Sequence, residues 1–269
     1  MSDREQPIAV GRTAEVYPFE DGKVLKLFFP TIPQAWIDKE VKTGRYIQDA
    51  GLPVPKVYET VQRDGREGIV YERIEGPSLL NELGTKPWRA GRYARLLAGL
   101  HVQVHGVAAP PGLETQHEWA TGGIPESDKL PEDVRDRILQ LLDSMPAGDR
   151  LCHGDFHPGN IIATQRGPVI IDWMTASRGT GGGDVARTAV ILEAAQAPEG
   201  TPMRWLLEWI RKSFLRTYLK TYFRLRPVDG HQFSAWRAIM AANFLADVSL
   251  SEEEAQLKTL VEDAIKSVE

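Results

Sequence analysis

Leu151-Cys152-His153-Gly154-Asp155-Phe156-His157-Pro158-Gly159-Asn160-Ile161-Ile162, followed by Val169-Ile170-Ile171-Asp172-Trp173, is the stretch on which the reading of this chain turns. It offers Asp, Asn and Asp oxygens within one strand-loop-strand segment. Val169-Ile170-Ile171 has the pattern of a short buried strand, so Asp172 would emerge at a strand end, where a charge can leave the core and meet a metal. Taken singly, Asp155, Pro158, Gly159 and Asn160 are ordinary turn formers. Taken together, with a strand on each side, they provide three oxygen donors in fixed relation, as a site that moves a phosphoryl group from Mg-ATP requires. Such a group in transit is handled mainly by positioning and charge neutralisation. Asp155 is then the candidate base for a hydroxyl proton, and Asn160 and Asp172 supply the hard oxygens that Mg²⁺ prefers.

The spacing Asp-x-x-x-x-Asn is that of the kinase catalytic loop, with Gly154 where that loop carries Arg, and Asp172 stands like the Asp of D-F-G. The segment H-G-D-F-H-P-G-N-I-I followed by I-D-W resembles the aminoglycoside phosphotransferase and choline kinase family, small-molecule kinases with a protein-kinase-like fold. The resemblance implies an α+β, bilobal chain. Residues 1–74 would form a small β-rich nucleotide-binding lobe with one helix, residues 71–77 a hinge, and residues 78–269 a larger, mostly helical catalytic and acceptor-binding lobe. It also implies ATP as donor, Mg²⁺ as cofactor and a small hydroxylated molecule as acceptor. Asp155 would be the catalytic base, and Asn160 and Asp172 the metal ligands. His153 and His157 match motif positions that help hold the loop.

Upstream, residues 8–29 read as a β-rich opening, with Glu20-Asp21-Gly22-Lys23 as a hairpin turn between apolar runs. The loop Gly11-Arg12-Thr13-Ala14 departs from G-x-G-x-x-G in having only Gly11. By resemblance, its N–H groups and Thr13 would face the ATP phosphates; by itself it is an ordinary hairpin turn. Lys26 lies between Leu25 and Leu27, so its ammonium must find a partner or reach solvent along a wet strand face. The resemblance favours a partner, placing Lys26 at the phosphates and pairing it with Glu40. Trp36, Glu40, Val41, Gly44 and Ile47 recur at helical intervals, which puts Glu40 on the inward face. Two further strands flank Arg63-Asp64-Gly65-Arg66, and Glu75-Gly76-Pro77-Ser78 stops the sheet. There, by resemblance, the backbone of Glu72, Arg73 and Ile74 would read adenine and Tyr71 would back the nucleotide pocket; the plain alternative is a sheet end.

With 269 residues, 42% hydrophobic and 26% charged, the chain has room for two lobes. A formal net charge of −5 argues against a general nucleic-acid binder. The single Cys152 excludes an intramolecular disulfide and reads as a small buried residue rather than a nucleophile. No apolar run approaches the roughly 20 residues of a membrane span, and the start of the chain has no signal-peptide core. A cytoplasmic protein is expected, and its oligomeric state is not legible.

Residues 89–107 form an amphipathic helical pattern in which His101 and His105 stand four apart. A metal there is disfavoured, since no third ligand is in sight. Residues 110–125 read as a loop containing Trp119, and 131–145 as a helix. Arg178 to Arg187 reads as a flexible glycine loop entering a helix with Asp184 as N-cap; by resemblance, Asp184 braces the catalytic loop. Residues 204–226 carry seven Lys or Arg against Glu208 alone, with Trp205, Trp209, Tyr218 and Tyr222 among the aromatics. A membrane surface or helical partner is one explanation; core aromatics with a wet basic face is the preferred one. Met174 to Glu269 balances 12 acids against 12 bases, so no acidic trough for a polycationic acceptor is evident. Glu252-Glu253-Glu254, the only acidic run, is equally a helix start.

Two other functions compete with the small-molecule kinase. A protein kinase would use Ala197-Pro198-Glu199 as A-P-E, but Asp184 to Leu192 looks like a buried helix instead of an activation loop. A nucleotide-binding regulatory module without turnover would suit the glycine-poor phosphate loop. The full set of Lys26, Glu40, Asp155, Asn160 and Asp172 argues against it.

Overall fold

Alternating apolar and polar residues punctuated by two Asp-Gly turns build an antiparallel sheet at the start of the chain, as expected from their hairpin chemistry. Its strands are β1 (Ala9–Val10), β2 (Ala14–Pro18), β3 (Lys23–Phe28), β4 (Val57–Arg63) and β5 (Arg66–Glu72), in the order β1-β2-β3-β5-β4. The helix α1 (Gln34–Asp49) lies between β3 and β4 in sequence and buries Ile37, Glu40, Val41 and Ile47. Ile37 and Val41 join Ala14, Phe28, Val57 and Ile69 in a small core, while Leu25, Leu27 and Val70 pack on the opposite face of the sheet. The fold is described from a computed structural model covering residues 6–122, 124–125, 127–195, 200–247 and 251–266.

The chain continues through α2 (Leu79–Thr85), α3 (Ala90–Val104), α4 (Gln116–Thr121) and α5 (Glu132–Ser144) to β6 (Arg150–Cys152). Two strands, β7 (Ile161–Thr164) and β8 (Gly167–Ile170), form a hairpin, and β9 (Ser177–Gly179) pairs with β6. Four helices complete the described chain: α6 (Gly181–Ala194), α7 (Arg204–Leu225), α8 (Gly230–Asp247) and α9 (Ser251–Lys266). A helical core gathers Ile138 and Leu142 from α5, Ala186 and Val190 from α6, Trp236 and Ile239 from α8, and Leu257 and Val261 from α9.

Two compact units result. One contains the described residues up to Leu79 together with Gly159–Met174; the other contains Leu80–Pro158 and the described residues from Thr175 onward. The β7–β8 hairpin, numbered within 78–269, thus groups with the sheet. The backbone explains this: Ala163 donates to the Pro77 carbonyl at 2.8 Å, and Ile170 to the Pro53 carbonyl at 2.7 Å.

Three local expectations change. The loop around Trp119 contains the short helix α4, closed by a capping box in which Thr115 and Glu118 satisfy each other's backbone N–H groups. The glycine run is ordered: Gly179 ends β9, Gly181-Gly182-Gly183 opens α6, and Thr180, not Asp184, is the N-cap. These glycines serve close packing, since a Cβ on Gly181 would stand 2.7 Å from the Tyr222 hydroxyl and one on Gly183 would collide with Gln116. The aromatics of α7 divide. Phe214, Tyr218 and Tyr222 are buried, but Trp205 and Trp209 on its first turns are 71% and 65% exposed. The segment Ala197-Pro198-Glu199 and the side chains of Glu252 and Glu253 lie outside the described residues.

Candidate active site

In the sheet unit, Lys26 is not an edge lysine. Its ammonium lies 2.7 Å from Glu40 Oε1 and 3.1 Å from Asp172 Oδ1, with only 13% of its side chain exposed. Burial alone would lower the Lys26 pKa, but the two carboxylates and their hydrogen bonds outweigh it and hold the ammonium above its usual range. Glu40, buried on the inward face of α1, also accepts a 2.8 Å hydrogen bond from the Tyr71 hydroxyl. That hydroxyl is pushed well up, first by burial and then by the Glu40 charge. Tyr71 thus belongs to the Lys26–Glu40 cluster.

The β7–β8 register pairs Ile161 with Ile170, so Asn160, just before β7, and Asp172, just after β8, sit at the same end of the hairpin. Ile171 N–H donates to the Asn160 carbonyl at 3.0 Å and ties that end together. Asn160 is buried, whereas the Asp172 side chain is half-exposed, delivered from the strand end as its sequence predicts. An amide oxygen and a carboxylate at one hairpin end form a donor set suited to Mg²⁺, and the largely buried Lys26 ammonium beside Asp172 suits phosphate oxygens.

The remaining nucleotide candidates are placed less distinctively. Gly11 N–H closes the β1–β2 turn onto the Ala14 carbonyl at 2.9 Å, and the Thr13 carbonyl accepts from Phe29 N–H at 2.9 Å. At the sheet end, Glu72 N–H donates to Lys56 O and Arg73 N–H to Gly22 O, both at 2.9 Å. Those two N–H groups are engaged within the unit. Ile74 follows just past the end of β5.

In the helical unit, Asp155 sits in the loop after β6. Its carboxylate oxygen Oδ2 is 3.5 Å from His157 Nε2, and its N–H donates to His153 Nδ1 at 3.2 Å. Burial raises the Asp155 pKa, but His157, then His153 and Arg187, outweigh it and bring the carboxyl down to about 2. Behind the loop lies Asp184, whose Oδ1 accepts from Gly154 N–H at 2.8 Å and whose Oδ2 accepts from His153 N–H at 2.6 Å. His101 Nε2 and His105 Nε2 approach the same Oδ2 at 2.9 and 3.1 Å. Their Nδ1 atoms meet Tyr218 and Tyr222 hydroxyls at 2.6 and 2.7 Å.

His101, His105 and Asp184 thus converge, with ligand atoms within 4.8 Å of one another, so the third group missing from the sequence pattern comes from α6. Their hydrogen bonds make them a satisfied polar hub. An ionised carboxylate only accepts, so each Nε2 carries its proton, and the Nδ1 of a neutral ring accepts from its tyrosine. Burial, then the neighbouring His105, lowers the His101 pKa to about 3, so this ring is neutral. Tyr218 and Tyr222 escaped the sequence reading. Their four-residue step on α7 repeats that of His101 and His105 on α3, a match in spacing that sequence alone does not turn into a pairing. Cys152 is buried, as its sequence setting predicts, and its thiol is pushed well up by burial and then by the Asp184 charge.

Residues 4–228 match the model of APH, the phosphotransferase enzyme family. The chain belongs to this family. Among curated relatives, a hydroxyurea phosphotransferase of Kitasatospora aureofaciens is 35% identical over an alignment of 117 residues that covers 39% of this chain. The matched stretch spans 34% of that relative's length. Among solved structures, an amicoumacin kinase in complex with AMP-PNP, Ca²⁺ and Ami superposes with a TM-score of 0.67 at 16% identity, over 99% of this chain and 89% of that one. A thermostable mutant of an aminoglycoside phosphotransferase, in ternary complex with ADP and hygromycin B, gives 0.70 at 13% identity, over 98% and 94%. Family members of this architecture share the bilobal, protein-kinase-like fold, here a five-stranded N-terminal sheet and a helical C-terminal part. Among the described residues no helix is long and apolar enough to cross a membrane.

Proposed function

We propose that this family member is an ATP- and Mg²⁺-dependent O-phosphotransferase that moves the γ-phosphoryl group to a hydroxyl of a small molecule. The observation that carries the proposal is the Lys26–Glu40–Asp172 cluster, with Asn160 at the same hairpin end as Asp172. Lys26 is the fixed cation for phosphate oxygens, and Glu40, itself steadied by Tyr71, keeps it oriented. Asn160 and Asp172 would hold the metal through their oxygens. When bound, Mg²⁺ neutralises charge on the phosphates. Gly11 and Thr13 would hold the phosphates, and the segment from Glu72 to Ile74 would hold the base, through groups other than the engaged N–H of Glu72 and Arg73.

Asp155 accepts the acceptor's hydroxyl proton as the new O–P bond forms and the bond from the γ-phosphorus to the β–γ bridging oxygen breaks, with ADP as the leaving group. With its carboxyl at about 2 it is ionised throughout the neutral range, so it is always available to orient that hydroxyl and take its proton late in the transfer. The even balance of acids and bases from Met174 onward favours a small, weakly charged acceptor over a polycation.

The test is ADP release from Mg-ATP across hydroxyurea, amino alcohols, hydroxylated amino acids, sugars and aminoglycosides. One class should stimulate release, and Asp155→Asn should lower that turnover by about 10²-fold or more while leaving nucleotide binding intact. Equal turnover by wild type and Asp155→Asn would overturn the assignment.

A further inference from the structure

We propose that His101 and His105 are positioning residues for phosphoryl transfer, which set the orientation of Asp155 by holding Asp184 against the catalytic loop. The inference rests on the proposed function but concerns residues that touch neither nucleotide nor acceptor. Asp184 is a carboxylate with about four acceptor sites, and four N–H groups surround it: two from the loop backbone at His153 and Gly154, and two from the imidazoles. The loop bonds end one residue before Asp155. Gly154 adopts φ +78°, so at this point the chain has no side chain to stiffen it. Its course is set by Asp184 on one side and by the Thr175 hydroxyl, which donates to the His153 carbonyl at 2.9 Å, on the other.

Asp184 cannot shift without breaking its imidazole bonds, and the imidazoles cannot turn without breaking their tyrosine bonds. His101 is additionally stacked on Phe156, the residue after Asp155, with ring centroids 4.0 Å apart. All five side chains, His101, His105, Asp184, Tyr218 and Tyr222, are at most 1% exposed. Solvent therefore offers no substitute donor. A buried, fully satisfied network of this kind has one low-energy arrangement and transmits it to whatever it bonds. The same saturation argues against a metal in the cluster, because an ion would have to displace the N–H donors from both rings.

Four variants and one physical measurement decide the matter. His101→Leu and His105→Leu remove the N–H at similar volume; His101→Gln and His105→Gln put an amide N–H near the Nε2 position. Each Leu variant is expected to lower kcat about tenfold or more with KM for ATP within twofold of wild type. Backbone amide exchange across 151–158 should quicken at the same time, and each Gln variant should recover most of the loss. Should a Leu variant not fold, Tyr222→Phe, which keeps the ring and removes only the hydroxyl that orients His105, should give a severalfold loss of kcat with the same KM for ATP. Leu variants that retain kcat within twofold would overturn the proposal. So would a parallel loss of kcat, ATP affinity and stability that Gln does not rescue, the mark of a purely structural role. If wild type turns over none of the acceptors tried, that failure belongs to the proposed function. Amide exchange still decides this inference, since unchanged protection of 151–158 in the Leu variants overturns it.

Discussion

Two backbone conformations frame the chemistry at the level of single residues. Gly154, at φ +78°, would place a Cβ 2.5 Å from the Thr175 carbonyl oxygen. Gly154→Ala is therefore expected to cost about 1–3 kcal/mol of stability, the usual scale of a left-handed non-glycine residue, read as a lower urea midpoint at unchanged m-value. Asp172 sits at φ +65° without glycine's freedom, in a region that Asp and Asn tolerate better than most side chains. Asp172→Ala should weaken ATP binding in the presence of Mg²⁺ and change metal-free binding far less, a difference that titration calorimetry with and without the ion can measure. At this scale the spacing of Asp155, Asn160 and Asp172 was legible because the three lie in one short segment. Glu40 was legible from its place on an apolar helix face. Tyr71 as a partner of Glu40, 31 residues away, and Tyr218 as a partner of His101, 117 residues away, were not. Periodicity places a side chain on a face but does not say which distant residue meets it.

Elements with strong local signals were read correctly, and those whose signals were ambiguous were not. The β2–β3 and β4–β5 hairpins follow from Asp-Gly turns between apolar runs. Helix α4 has six residues and sits in a proline- and glycine-bearing stretch; its Thr115–Glu118 box was the only cue. The glycines of α6 were misread because a glycine demanded by close packing and one that loosens a loop look alike in a sequence. For α7, composition does not say where along the helix burial begins; in the structure it begins at Phe214. A direct consequence is that Trp205→Ala and Trp209→Ala should change stability by no more than about 0.5 kcal/mol. Trp236→Ala, at 1% exposure in the helical core, should cost about 3–5 kcal/mol. Urea unfolding of the three variants side by side checks both statements.

The molecule as a whole should be sensitive to acid, with a definite sign. His101 binds its proton with a pKa of about 3 when folded and about 6.5 when unfolded. Between those values the unfolded chain takes up a proton that the folded chain refuses, so stability falls as pH drops through this window. Asp155, at about 2 when folded against 3.8 ordinarily, adds a further loss at the lower end of the same range. Thermal unfolding from pH 7 to pH 4 should show a falling midpoint for wild type and a shallower fall for His101→Gln, which carries no titrating ring. A midpoint independent of pH would contradict a neutral buried His101. The two-part plan of the chain was legible from its β-rich beginning and helical remainder. The assignment of Gly159–Met174 to the sheet unit was not, since it depends on backbone bonds to Pro53 and Pro77 that leave no side-chain trace.

That return of the chain bears on how such a protein can be inherited in pieces. A genetic crossover after Leu79 would transfer Lys26 and Glu40 but leave Asn160 and Asp172 behind, pairing a sheet from one parent with a hairpin from another. Chimeras that keep the cluster intact must exchange two separate segments together. Neither segment is expected to evolve independently of the other.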